Sequence, residues 1–266
     1  MNPQFGNGVN VFFDDLGPRG GAPVILIHGH PFNRTMWAPQ TAALTAAGYR
    51  VITPDLRGYG ESPVVPGKAL LADHADDLAA LLARLGIEQV VVGGVSMGGQ
   101  IAMELRLRHP GVVRALVLCD TSPEPETEDG AKYRRELAER LLAEGMEGYA
   151  EEVIDKMLAP YNVTGMPEAA ARVSAMMCAT DPEGAAAALR GRAERPDYRP
   201  VLAGAAEPCL LLVGADDVYT PVADAEAMHA LMPHSVLTVV DGAGHLPGVE
   251  RPEAVNRALL EFLAAL

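Results

Sequence analysis

Apolar positions along this chain follow two alternating rhythms. Six short stretches are almost continuously apolar: PVILIHG (23–29), YRVITPD (49–55), QVVVGGVS (89–96), RALVLCD (114–120), PCLLLVGAD (208–216) and SVLTVVDG (235–242). Runs of this length, rich in branched residues and closed by Gly, Asp or Ser, predict strands buried on both faces. Between them the spacing lengthens to that of a helix. Over 68–85, Leu71, Ala75, Leu78, Leu82 and Leu85 recur at helical spacing while Asp73, Asp76, Asp77 and Arg84 fall on other faces, the pattern of an amphipathic helix. Further helices are predicted over 97–109, stopped by His-Pro-Gly, and over 222–232 and 252–265. This alternation predicts an α/β fold, a mostly parallel twisted sheet with helices on both faces.

The rhythm breaks between about Pro123 and Glu207. That segment is rich in Ala, Glu and Arg and carries no strand pattern; its spacing predicts four helices, near 130–145, 147–159, 167–178 and 183–193. Strands flank it on either side, so it is an insertion, and ERPDYRP (194–200) reads as the return linker. The expected organisation is a core of residues 1–121 and 206–266 carrying a helical cap of residues 122–205.

One apolar run passes into a helix through a serine set between glycines. Gly94-Val95-Ser96-Met97-Gly98 has the form G-x-S-x-G. In so tight a strand-to-helix turn the serine backbone is strained, and the glycines let strand and helix approach closely. Ser96 Oγ is then expected at the carboxyl edge of the sheet, beside the free N–H groups of the helix. A glycine-rich turn with a serine cap has the same local sequence, so the rest of the chain must separate the two readings. A serine nucleophile needs a base within hydrogen-bond reach and a third group to orient that base. His245 follows the strand 235–240, and Asp216 and Asp217 follow the strand before it. Asp216 is one residue nearer its strand and should point the other way if the chain is still extended there. HGHPFNRTMW (28–37) follows the first strand. Negative charge developing on a carbonyl oxygen needs two fixed donors, and the backbone N–H groups of His30 and Met97 are the candidates, Gly29 permitting the turn that aims the first. The His30 side chain is expected to line the pocket rather than act as a base.

Composition narrows the partners. Of 266 residues, 49% are hydrophobic, enough for a large core, and the net charge is −14 with a pI near 4.9. Such a surface repels nucleic acid and anionic membranes. MNPQFGNGVNVFFDD lacks the basic start and apolar centre of a leader, and no apolar run is long enough to span a bilayer. Cys119, Cys178 and Cys209 are odd in number and widely spaced, which predicts three reduced, buried thiols in a cytoplasmic protein. GGVSMGG carries no lysine where a phosphate loop requires one.

With HGHP, DLRGYGES (55–62), GVSMGG, GADDVYTP and GAGH in this order and spacing, nearly the whole chain resembles the α/β-hydrolase superfamily. LCDTSP (118–123) before the insertion, PDYRPVL (196–202) after it and the HGHPFNRTMW block are most similar to the 3-oxoadipate enol-lactonases and related carboxylesterases. The resemblance implies a serine hydrolase acting on a small-molecule ester or lactone without cofactor or metal. It implies Ser96 as nucleophile, His245 as base and Asp217, the third residue after Gly214, as acid. Asp120 follows, because some relatives carry the acid at that strand end, and Asp216 comes last. Relatives that use aspartate as nucleophile are excluded by Ser96, and Leu246 stands where ring-fission C–C hydrolases often have tryptophan. A C–C hydrolase, a perhydrolase and a non-catalytic ligand-binding protein on the same scaffold are the alternatives.

Other residues are weighed on chemistry. Arg57 is expected to pin its loop, Asp73, Asp76 and Asp77 to form an acidic helix surface rather than a metal site, and Asp224 and His229 to lie on a solvated helix face. Trp37, Met176, Met177 and Leu246 are expected near the pocket wall, one of the two methionines facing inward.

Overall fold

Seven strands form one sheet in the order β1-β3-β2-β4-β5-β6-β7. A computed structural model describes residues 11–266; the first ten, part of the stretch that shows no leader pattern, lie outside the described residues. The strands are β1 (Phe13–Leu16), β2 (Pro23–Ile27), β3 (Arg50–Pro54), β4 (Val90–Val95), β5 (Val113–Cys119), β6 (Cys209–Gly214) and β7 (Val236–Val240). All neighbours pair in parallel except β1 with β3. The six apolar runs are therefore the six parallel strands. The hydrophobic pattern misses β1, because FDDL is an edge strand whose acids serve charge pairs: Asp15 accepts from Arg50 Nε and Nη2 of β3 at 2.9 and 2.8 Å.

Alternate strand residues feed two cores. Val24, Leu26, Val51, Val91, Val117, Leu210 and Leu212 face one side and pack with Leu44 of α1 (Ala38–Ala46) and Leu259 and Phe262 of the carboxy-terminal helix. Ile25, Ile27, Ile52, Val92, Leu116, Leu118 and Leu211 face the other. There they meet α2 (Leu71–Arg84) through Leu78 and Leu82 and α3 (Met97–Arg108) through Ile101 and Leu105. This period of two on a sheet covered twice explains why the strands read as unbroken apolar runs. Truncating any of these leucines or isoleucines to alanine costs about 2–5 kcal/mol.

Between β5 and β6 run α4 (Glu128–Glu144), α5 (Glu147–Met157), α6 (Pro160–Gly165), α7 (Pro167–Cys178), α8 (Pro182–Arg192) and α9 (Arg199–Ala203). Local chemistry sets their limits. Thr127 Oγ1 accepts from Gly130 N–H at 3.0 Å to start α4, Asp181 Oδ1 accepts from Glu183 N–H at 2.9 Å to start α8, and prolines open α6, α7 and α8. Two short helices depart from the sequence expectation. Six residues are too few to show an apolar period, so α6 was missed, and residues 194–200 run into α9 instead of serving only as a linker. The apolar faces of α4, α5, α7 and α8 join the first core through Leu137, Val153, Val173 and Leu189. After β6 come α10 (Val222–Leu231), α11 (Pro247–Glu250) and α12 (Pro252–Ala264). Cys119 and Cys209 are buried as expected of small apolar residues, but Cys178 is exposed at the end of α7, where the helix turns its buried face elsewhere. No helix among the described residues is long and apolar enough to cross a membrane.

Candidate active site

Strand β4 delivers Ser96 at its carboxyl end, and α3 begins at the next residue. Ser96 has φ 53° and ψ −117°, backbone strain of the kind that costs a non-glycine residue about 1–3 kcal/mol. Its neighbours hold it there. Ser96 N–H donates to Cys119 O at 3.0 Å, and Ser96 O accepts from Gln100 N–H at 3.2 Å and from Thr121 Oγ1 at 2.7 Å. A Cβ on Gly94 would lie 2.2 Å from Gly98 O, and one on Gly98 2.2 Å from Ile27 O. The glycines of the motif are thus what let β4, α3 and β2 meet at the turn.

His245 lies in the loop after β7 and Asp217 in the loop after β6. Their side chains are almost wholly buried, with His245 Nδ1 2.8 Å from Asp217 Oδ2. Asp217 Oδ2 also accepts from Thr220 Oγ1 at 2.6 Å, and Oδ1 accepts from Tyr219 N–H at 2.8 Å. Burial raises the Asp217 carboxyl, but His245, Thr220 and the Tyr219 N–H outweigh it and hold it below the usual carboxylate range. An ionised carboxylate only accepts, so Nδ1 of His245 is the donor in this bond. Asp216 points elsewhere: its carboxylate accepts from Tyr161 Oη of α6 at the surface. Asp120, directly after β5, is buried beside Asp217 and His245. One ligand atom from each of these three lies within 4.8 Å of the others, a spacing that suits a metal ion. Nδ1 of His245 donates to Asp217 and so has no lone pair for a cation.

The other histidines have different duties. His28 accepts from Leu56 N–H at Nε2 (3.0 Å) and donates from Nδ1 to Gly29 O (2.8 Å), tying the loop after β2 to that after β3. His30 Nδ1 bonds Tyr59 Oη at 2.7 Å, and its Nε2 is buried without a partner. Burial, then the charges of Arg192 and Arg134, push His30 well below the ordinary histidine value, so it is neutral.

Ser96, His30 and His245 open onto one cavity of about 350 Å³. Its far wall comes from the inserted helices: Tyr133, Arg134 and Leu137 of α4, Tyr149 and Met157 of α5, Leu189 and Arg192 of α8, with Arg195 after it. Three guanidiniums share this wall. Arg134 and Arg195 both face Glu126, and Arg195 Nε donates to Glu124 O at 2.8 Å. Arg192 is 8% exposed and has no carboxylate partner among the described residues; its one hydrogen bond is Nε to Gln100 Oε1 at 3.2 Å. Burial, then Arg134 and Arg195, push it down from arginine's ordinary value.

The structure brings Ser96, His30, Asp217 and His245 together and separates them from the residues expected on the pocket wall. Trp37 and Leu246 line a different, small apolar void with Val95 and Cys119. Met177 is in the core, and Met176 lies half-buried with Thr35 Oγ1 on its sulfur at 3.4 Å, because α7 packs against α5 and α6 rather than over Ser96. Asp224 is not simply solvated: it borders the cavity, while His229 binds Ser235 Oγ at 2.8 Å. Arg57 does pin its loop, gripping Asp77 through Nε (2.6 Å) and Nη2 (2.8 Å). Asp73 caps α2 through Leu70 N–H, and Asp76 pairs with Arg108 and His109. The arginines of the wall were missed. Their signal was faint: LRGRAER breaks an alanine-rich helix with charge on the side that the apolar pattern assigns to the interior.

A doubly covered sheet with Ser96, Asp217 and His245 beyond the carboxyl ends of β4, β6 and β7 defines a hydrolase-type scaffold, and comparison places the chain within it. The family model for the alpha/beta hydrolase fold matches residues 22–252; the chain belongs to the α/β hydrolases. Among solved structures it is similar to a thermophilic esterase from Thermogutta terrifontis with malate bound, at 39% identity and TM-score 0.96 over 100% of this chain and 98% of that one. It is 29% identical to 3-oxoadipate enol-lactonase 1 of Acinetobacter baylyi over 94% of this chain and 91% of the relative. It is also 31% identical to the putative non-heme bromoperoxidase BpoC of Mycobacterium tuberculosis over 97% and 99% of the two chains.

Proposed function

We propose that this α/β hydrolase is a serine hydrolase that cleaves an ester or lactone carrying a second, anionic group. The observation that carries the first half is the convergence of the strained Ser96 turn and the bonded His245–Asp217 pair on one cavity. His245 Nε2 takes the proton as Ser96 Oγ attacks the carbonyl carbon. Asp217 keeps the imidazole in that tautomer and stabilises the imidazolium. The backbone N–H groups of His30 and Met97, for which no hydrogen bond is recorded among the described residues, are the donors for the oxyanion. As the tetrahedral species collapses, the C–O bond breaks and His245 returns the proton to the leaving oxygen. Water, deprotonated by His245, then attacks the acyl group and frees Ser96. The inserted helices act as a cap that closes the acyl site and selects the substrate.

The second half rests on Arg192. A buried guanidinium with four N–H groups unanswered by the protein asks for an acceptor, and carboxylate fits its fork. The net acidic surface acts at long range, where salt screens it. Of the acids on the cavity lining, Glu126 is paired with Arg134 and Arg195 and Glu124 with Arg199, which leaves Asp224 as the local opposition to an anion. Similarity supports the same class: the Thermogutta esterase is a malate-bound form, and the Acinetobacter relative is named for an oxoadipate, both dicarboxylates. Paired substrates test both halves. Hydrolysis of a glutarate monoester is measured against the butyrate ester of the same alcohol, with wild type and Ser96→Ala. The expected kcat/KM ratio favours the carboxylated ester by roughly tenfold or more, since a hydrogen bond to a charged group is worth about 1.5–3 kcal/mol. Equal kcat/KM values remove the anionic half, and turnover by Ser96→Ala removes the whole reading. Similarity to a bromoperoxidase favours one side reaction, in which hydrogen peroxide replaces water on the acyl group and yields a peracid; peracid formation with added peroxide measures it.

A further inference from the structure

Behind the His245–Asp217 pair stands a second carboxyl group. Asp120 begins the loop after β5 with φ 43°, a left-handed conformation that aspartate adopts at some strain. Its N–H donates to Leu212 O at 2.9 Å, and Oδ1 accepts from Gly214 N–H at 2.8 Å, so it sits over the end of β6 where the Asp217 loop starts. The side chain is 1% exposed, and Oδ2 has no protein partner although it is fully enclosed. The charged and titratable groups facing it are Asp217 from the β6 loop, His245 from the β7 loop, Glu250 of α11 and Cys119 of its own strand. No Lys or Arg bonds Asp120 or Asp217 among the described residues.

Two carboxyl groups this close, in a buried site without a cation, cannot both ionise. The charge goes to the better solvated of the two. Asp217 has three donors, from His245, Thr220 and Tyr219; Asp120 has one. We infer that Asp120 is a neutral carboxylic acid whose Oδ2 proton is donated to the Asp217 carboxylate, which makes it a positioning residue for the catalytic acid and not the acid itself. An Oδ2 that reads as an orphaned acceptor then becomes a satisfied donor. The directions of the acidities agree: burial, then the charge of Asp217, drive Asp120 well above the usual carboxylate range, while Asp217 is held below it. The added donor spreads the Asp217 charge and limits how strongly it stabilises protonated His245. The inference rests on the triad reading for its consequence, but not for the location of the proton.

Infrared difference spectroscopy of wild type against Asp120→Asn at neutral pH reads the proton directly. The expected result is the C=O stretch of a protonated carboxylic acid, present in wild type and lost in the variant. Its absence overturns the inference whether or not the enzyme turns over any ester. The acidic limb of kcat/KM on an uncharged ester reads the consequence. Asp120→Asn keeps a neutral donor and holds the limb in place. Asp120→Val removes the donor and moves the limb up by roughly 0.4 to 1 unit, the range to which a hydrogen bond's net worth converts. Were Asp120 ionised, Asp120→Asn would delete a charge beside the imidazolium and drop the limb by about one unit or more; that outcome also overturns the inference.

Discussion

The two sides of the cavity are built on opposite electrostatic plans. The floor, at the carboxyl ends of β4 to β7, gathers acids without a cation: Asp217, Asp120 and Glu250 around His245. The wall, on α4 and α8 and the residues flanking them, gathers Arg134, Arg192 and Arg195 near the half-buried Glu126, with Glu124 and Asp224 also on the cavity lining. Each arrangement is costly alone, since like charges in a buried site oppose one another. The floor relieves the conflict by holding a proton; the wall leaves it unrelieved, to be met by a ligand. Under the proposed function, the acidic side would do the chemistry and the arginine side would select. On the proposed reading, a substrate carboxylate would bind at Arg192, away from Asp217, with its ester carbonyl near Ser96.

The comparison breaks at the floor if the nucleophile is wrong. Ser96→Ala should lose at least about a thousandfold in turnover of an uncharged ester, the scale of removing one member of such a triad. Its melting temperature should stay close to wild type. Next in size, Asp217→Asn should lose roughly three to four orders of magnitude in kcat, because the amide favours the wrong imidazole tautomer. A nearly active Asp217→Asn beside a crippled Asp120→Asn reverses the roles of the two acids.

Arg192→Met tests the wall. For the carboxylated ester, kcat/KM should fall by roughly 10- to 150-fold, the equivalent of about 1.5–3 kcal/mol for a charged hydrogen bond. The uncharged ester should change little. The variant should also melt higher, since replacing a buried, unpaired charge with an apolar chain of similar volume removes a desolvation cost. A lower melting temperature with unchanged selectivity would make Arg192 a structural residue and erase the contrast between the two sides.

The smallest effect is in the pH dependence of stability. Asp120 has a folded-state acidity weaker than that of the unfolded chain, so the folded state binds more protons above the unfolded value of about 3.9. Stability from that group is complete below this value and is lost as pH rises toward the folded one. Asp217 runs the other way: its folded value is depressed, so its contribution is present above the unfolded value and lost as pH falls through the folded one. The melting temperature of Asp120→Asn relative to wild type should therefore increase from pH about 4 to neutrality. A difference that shrinks over that window would mean that the folded state favours ionised Asp120.

Local pattern was enough for the six parallel strands, though not for the edge strand β1. Residues 113–119 are strand because Val, Leu and Cys fill both faces, and the serine turn was legible because Gly94 and Gly98 have no other use so close to Ser96. Asp217 was favoured over Asp216 by the family resemblance, not by strand alternation: β6 ends at Gly214, and a turn closed by Asp217 N–H on Gly214 O sends the two carboxylates to different partners. The pocket wall was not legible. Leu246 follows His245 directly and Trp37 lies in the same loop-helix block as His30, yet both line another void; Arg192, 96 positions from Ser96, faces the cavity with it.

What the sequence by itself determined are properties set within a few residues: strand against helix, the strained serine turn, the order in which serine, acid and histidine reach the carboxyl edge. Only the tertiary structure decided which helix face closes the cavity, that Arg192 finds no acid there, and that Asp120 and Asp217 share one buried space. Helix periodicity names an apolar face but not what that face meets, and the acidity of a carboxyl depends on neighbours brought from other strands and on the water they exclude.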